Sequence, residues 1–218
     1  ERLLNYLRGQ YGFEDRLDNS LRLFRRRAHV LGATTNAQPV YVGRPAFRYA
    51  DDNYGAFRDE QQAKRKGMVY VAANDGMLHA FNAATGAEVW AMVPAGVLPR
   101  MRLAADHKYG RQFAYLLDGT PVAADICPGS APVSCTADQW RTILVAGMGA
   151  AGREFYALDI TDPDHPASLW RFNANSDNDL GYAFGRPLIT KQRDGRWIVL
   201  LTSGYNNVAP GSGKGFLF

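Results

Sequence analysis

What the chain is short of narrows it first. Its 218 residues hold two cysteines and four histidines, and neither cysteine has a histidine or a second cysteine pair close by, which argues against a zinc site. No apolar run approaches the ~20 residues that cross a membrane as a helix. No secretory leader pattern is visible and the chain opens on Glu1, so a mature or excised segment is expected. Neither sign of charge dominates: 25 Lys and Arg against 21 Asp and Glu leave a net charge of +4. That permits an anionic partner without requiring one. The basic run Arg25-Arg26-Arg27 admits two readings, an anionic contact and a solvated surface, and weak aromatic interleaving favours the second. Asp51, Asp52, Asp59 and Glu60 match no EF-hand spacing, so a solvated loop is expected there. His79 and His107 have no recognisable nucleophile or ligand partner nearby in sequence and read as structural.

What is plentiful points one way. The chain is 46% hydrophobic, with 22 glycines and 11 prolines, a composition that suits one sizeable core built of short strands and turns. The clearest stretch runs from Gly67 to Trp90. Met68 to Ala73 is apolar on both faces, as in a strand buried on each side. Asn74-Asp75-Gly76 supplies a hairpin turn, expected to be type I′. Met77 to Phe81 returns antiparallel, Thr85-Gly86 turns again, and Glu88 to Val93 is a third strand carrying Trp90. This order describes one β-propeller blade.

The pattern recurs. Pro39, Pro121 and Pro187 each open a strand. Trp140 to Met148 and Trp197 to Ser203 repeat the apolar inner strand. Glu154 to Ile160 answers 78–82, and Ser168 to Phe172, carrying Trp170, answers 88–92. Ala114 to Leu117 reads as a further strand before the turn Asp118-Gly119. The repeats are longer than the ~40–45 residues of compact propeller blades, with the surplus in loops at 44–66, 94–111 and 127–137. Of these, 94–111 reads as a linker, partly helical around 98–105. The fold expected is all-β: about two and a half four-stranded blades, an N-terminal part of a propeller over residues 31–218, preceded by a lead-in of a short helix and polar linker over 1–30. Two and a half blades close no ring and leave sheet faces open, so the remaining blades are expected in a longer chain. An ordinary β-sandwich is the competing architecture. In the Cys127-Pro-Gly-Ser-Ala-Pro-Val-Ser-Cys135 loop, a disulfide in an oxidising compartment is favoured over two unrelated thiols.

Val69 to Asn82, Thr85-Gly86 and Val93-Pro94 resemble the C-terminal propeller of the PilC/PilY-type type IV pilus proteins. Pro39-Val-Tyr-Val-Gly43, Trp140 to Gly147, Phe155 to Pro163, Leu180 to Pro187 and Gly195-Arg-Trp197 agree in the same order. The pattern departs at 33–38, where the family carries an acidic residue after the glycine. The resemblance implies a secreted protein at the outer-membrane surface and pilus tip of a Gram-negative bacterium, supporting pilus assembly, opposing retraction and mediating adhesion, twitching motility and virulence. Its partners would be pilin or minor pilins, a host-surface receptor and the remaining blades of the same chain, with no nucleic acid. It also implies calcium, bound in strands beyond Phe218. Within this chain Asp177 and Asp179, in Ser176-Asp177-Asn178-Asp179, are weak metal candidates, lacking a following Asp-x-Gly and a bidentate Glu; a polar turn is the preferred reading.

Two alternatives remain. Pyrroloquinoline-quinone dehydrogenases use similar Asp-Gly hairpins and Trp-bearing strands, but no base with a matched partner stands out here, and Cys127 and Cys135 are not adjacent. A periplasmic outer-membrane assembly scaffold would have more compact blades. The expectation is a non-catalytic interaction module whose contacts are carried by the loops at 44–66 and 127–137, with the blades folding independently of either loop.

Overall fold

The computed structural model describes residues 1–129 and 134–218. Two four-stranded antiparallel meanders dominate it: β1 (Val40–Val42), β2 (Met68–Ala73), β3 (Met77–Asn82) and β4 (Glu88–Met92) form the first. β5 (Val122–Ile126), β6 (Arg141–Gly147), β7 (Glu154–Asp159) and β8 (Ala167–Asn173) form the second. A third sheet pairs β9 (Leu188–Lys191) with β10 (Trp197–Leu200). Leu201 and Phe218 then exchange backbone hydrogen bonds of 2.9 and 2.8 Å, and Ser203 N donates to Phe216 O at 2.9 Å. Residues 216–218 therefore begin a third strand of that sheet. The result is an incomplete propeller of two whole blades and part of a third. Pro39, Pro121 and Pro187 each stand directly before a first strand, where a missing N–H removes no ladder bond.

The middle blade explains why its strands are apolar on both faces. Leu144 and Ala146 on β6, with Tyr156 and Leu158 on β7, pack against Met68, Tyr70, Ala72, Leu78 and Ala80 of the first blade. The alternate residues Ile143, Val145 and Ala157 face Ile189 and Val199 of the third. Trp90 and Trp170 occupy equivalent stations. Each lies opposite a small residue, Ala80 or Ala157, and a register shift follows immediately. Trp90 packs on Tyr70 and its Nε1 donates to Pro163 O of the next blade at 2.9 Å. Trp170 packs toward Val199 of the blade after it. Matched Trp positions wedged between successive sheets are incompatible with a two-layer sandwich.

Several local expectations need correction. The turn at 74–76 is not type I′. Only Gly76 has positive φ, at +93°, and Gly76 N bonds to Ala73 O at 3.0 Å. This is a three-residue hairpin loop with a left-handed glycine last. Residues 114–117 form no strand; Leu116 and Leu117 are instead buried in the core between the first two blades. Asp118-Gly119 is a close crossing and not a hairpin, because a Cβ on Gly119 would sit 1.8 Å from Gly147 O. The segment 94–111 is helical where expected, as a 3₁₀ helix over Leu98–Ala105, and its Met101 and Ala104 enter the same core.

The arginine run is neither solvated nor an anion contact at two of its three positions. Arg27 is buried and pairs with fully buried Glu14 at 2.6 Å. Its guanidinium also donates to Tyr6 O and Gln10 O and lies 3.8 Å from the Tyr6 ring centroid. Arg25 Nε donates to Ala104 O at 2.6 Å, and its guanidinium lies over Tyr109. These bonds tie the lead-in, with α1 (Arg2–Leu7), onto the 3₁₀ helix. The lead to β1 lacks the acidic residue of the resembled pattern but borrows one: Asn36 N donates to Asp118 Oδ1 at 2.8 Å, and Gln38 N to Thr120 Oγ1 at 3.0 Å.

Candidate interaction surface

An antiparallel meander places its β1–β2 and β3–β4 connections at one end of the blade. The loops at 44–66 and 127–137 therefore emerge at the same end of neighbouring blades, and there they meet. The first loop is not a solvated coil. It contains α2 (Tyr54–Lys64), whose Tyr54, Phe57 and Gln61 are buried. Their spacing of three and four residues puts them on one helical face. Arg65, one turn on, is buried too.

That face packs on the second loop. Cys127 and Cys135 are joined by a disulfide with Cα atoms 5.9 Å apart. Both are buried with Tyr54, Phe57 and Trp140 in one cluster, flanked by Tyr49 and Trp197. The ring centroids of Tyr54 and Trp140 are 4.7 Å apart, those of Tyr49 and Trp197 5.2 Å. Offset and edge-on contacts at these separations add to the burial of apolar area. Residues 130–133 of the second loop lie outside the described residues.

Polar bonds fix the same contact. Asn53 Nδ2 donates to Cys135 O at 2.8 Å, Ser134 Oγ to Asp52 Oδ2 at 3.2 Å, and Trp140 Nε1 to Asp52 O at 3.1 Å. Asp51 pairs with Lys191 of the third blade. Tyr54 OH donates to Asp125 Oδ2 on β5 at 2.8 Å, Thr142 Oγ1 to Asp125 Oδ1 at 2.6 Å, and Arg65 Nη1 to Thr142 Oγ1 at 2.7 Å. Burial raises the Tyr54 phenol pKa, and the Asp125 carboxylate adds to the rise, so Tyr54 stays a donor. An insertion from the first blade thus straps down the second and reaches the third. Asp51 and Asp52 are spent on these bonds, while Asp59 and Glu60 are exposed and pair with Arg58 and Lys64.

The other singled-out residues lie elsewhere. Asp177 Oδ1 accepts from Asp179 N at 2.8 Å, and Asp179 Oδ1 accepts from Ser212 N and Oγ at 2.5 and 2.6 Å. Among the described residues no group of three His, Cys, Asp or Glu side chains is gathered to hold a metal ion. Asp177 and Asp179 build turn and loop contacts. His107 is exposed. His79 does have partners: its Nδ1 lies 2.5 Å from Glu88 Oε1 and its Nε2 3.1 Å from both Asp75 oxygens. Burial alone would lower its pKa, but the bonds and charges of Asp75 and Glu88 outweigh it and raise the value. The carboxylates flank opposite ring nitrogens, an ion-paired strand clamp between β3 and β4. Asp75, four residues away, was within reach of a sequence reading; Glu88 was not, because a register shift between Ala80 and Phe81 lies between the paired positions.

Comparison with known proteins now decides the lineage. The sequence model of the PilY1 beta-propeller domain matches residues 31–217. The chain belongs to the PilY1 β-propeller family. It is 40% identical over 213 residues to a type IV pilus biogenesis factor PilY1 homolog of Xylella fastidiosa, covering 94% of this chain and 16% of that protein. It is 33% identical over 212 residues to type IV pilus biogenesis factor PilY1 of Pseudomonas aeruginosa strain UCBPP-PA14, covering 94% and 17%. The crystal structure of the Pseudomonas aeruginosa PilY1 C-terminal domain superposes with a TM-score of 0.58 at 32% identity, covering 76% of this chain and 32% of that one. The chain thus spans about a sixth of the length of the curated relatives it matches. Among the described residues no helix is long and apolar enough to cross a membrane.

Proposed function

We propose that this chain is a non-catalytic interaction module within a type IV pilus biogenesis factor. Its 40% identity to such a factor across 94% of its length carries the reading. The strapped end gives it physical form: a surface backed by interlocked aromatic rings and three blades loses little conformational entropy on docking a partner. Pilin or minor pilins and a host-surface receptor are the proposed partners, at the outer-membrane surface and pilus tip, with assembly, retraction control, twitching motility, adhesion and virulence depending on them. Calcium is proposed to bind in parts of the full-length protein beyond this chain. The comparisons favour neither the quinone dehydrogenase nor the assembly scaffold.

The test is complementation of a strain lacking the full-length protein. A version without residues 31–218 should leave little pilin in the sheared surface fraction and abolish adhesion to host cells. Full surface piliation and adhesion from that version would remove the proposal.

A further inference from the structure

The strap has an outer side that the blades do not use. Pro45, Ala46, Phe47, Arg48, Tyr49 and Arg58 line a hollow of about 450 Å³. Phe47 stacks on Tyr49 with centroids 5.1 Å apart and an interplanar angle of 11°, yet stays 41% exposed. Tyr49 is itself held by Tyr54, Trp140 and Trp197, so the platform is rigid.

Charge accompanies it. Arg44 and Arg48 are exposed, and neither has a hydrogen-bond or ion-pair partner among the described residues. Arg58 pairs with its own neighbour Asp59, whose carboxylate is 67% exposed. Asp51 and Asp52, the nearest acids in sequence, are already bound to Lys191 and Ser134. Arg44 lines a second hollow, which shares Pro45, Ala46 and Phe47 with the first, so the two unpaired guanidinium forks stand in adjoining hollows that meet at Phe47.

We infer that these two adjoining hollows receive one acidic peptide segment, with a carboxylate on Arg44 in one, a carboxylate on Arg48 in the other and an apolar side chain on Phe47 between them. Guanidinium forks match carboxylates bidentately. Two unpaired arginines in adjoining hollows make a point contact and not the extended basic track that a nucleic acid needs. The inference deepens the reading above, and rests on it, by giving the chemistry of the partner that meets the strapped end.

The test uses the full-length protein and a fluorescein-labelled eight-residue peptide of alternating glutamate and phenylalanine, followed by anisotropy. Saturable binding is expected, weakening severalfold between 50 and 200 mM NaCl. The Arg44→Glu/Arg48→Glu double variant, with an unchanged thermal midpoint, should bind at least tenfold more weakly, and the double lysine variant should fall between. Four results would overturn the inference: no saturable binding, equal binding of a lysine-for-glutamate peptide, tighter binding of single-stranded DNA or alginate, or charge reversal without effect. Arginine-dependent binding by a protein that proves dispensable for piliation would sink the pilus reading and keep this surface. Loss of piliation without peptide binding would do the reverse.

Discussion

Phe57→Ala separates a strap from a surface loop. If residues 44–66 were a solvated insertion, truncating an aromatic ring there would change stability by no more than about 0.5 kcal/mol. In the structure Phe57 is 2% exposed, with its ring 6.0 Å from Tyr54 and 6.3 Å from Trp140. Truncation of a buried phenylalanine costs about 3–5 kcal/mol, part of it lost transfer energy and part the cavity left behind. For a chain of this size each kcal/mol moves the thermal midpoint by about 2–4 °C, so the variant should melt about 10 °C lower. Urea unfolding followed by tryptophan fluorescence is the matching assay, because Trp140 borders the cavity and Trp197 packs on Trp140. The midpoint should fall with an unchanged slope. Phe47→Ala, at an exposed ring, is the control and should be nearly silent. A Phe57→Ala midpoint within about 1 °C of the parent would refute the buried strap, at a shift far below what cavity formation requires.

Three further outcomes follow from named contacts. Trp90→Phe removes the indole donor to Pro163 O and should cost about 1 kcal/mol beyond the change in ring size, read by urea unfolding. His79 has a raised folded-state pKa, so its contribution is complete below the ordinary imidazole value of about 6.5 and is lost as pH climbs through the raised value. His79→Gln should flatten that alkaline decline in a series of thermal melts. Arg27→Met leaves Glu14 buried without its main partner and should cost about 3–5 kcal/mol, whereas the Arg27→Met/Glu14→Gln double variant should cost less than the two singles together, read by a double-mutant cycle.

The blades were legible because their signals are local and repeated. Proline before a first strand, a two-sided apolar run, a left-handed glycine and a tryptophan on the outer strand each follow from backbone or packing demands within a few residues. The strap was not legible for the opposite reason. α2 carries only Tyr54 and Phe57 as large buried apolar groups, interrupted by Gly55 and followed by charged residues, so its apolar stripe is too short to register. Its stability comes from Trp140, Asp125 and the disulfide, all more than sixty residues away. Arg27 hid in the same manner: a three-arginine run looks solvated until Glu14 and the Tyr6 ring are folded against it. Asp118-Gly119 misled because the dipeptide that marks a hairpin also suits a close backbone crossing.

Hydrogen exchange along α2 tests the central claim most directly. If the insertion is a structural strap across three blades, the amides of residues 57–64 should exchange only through large-scale opening, with protection approaching that of β6. Exchange of those amides at the rate of an exposed loop, while β6 stays protected, would contradict it.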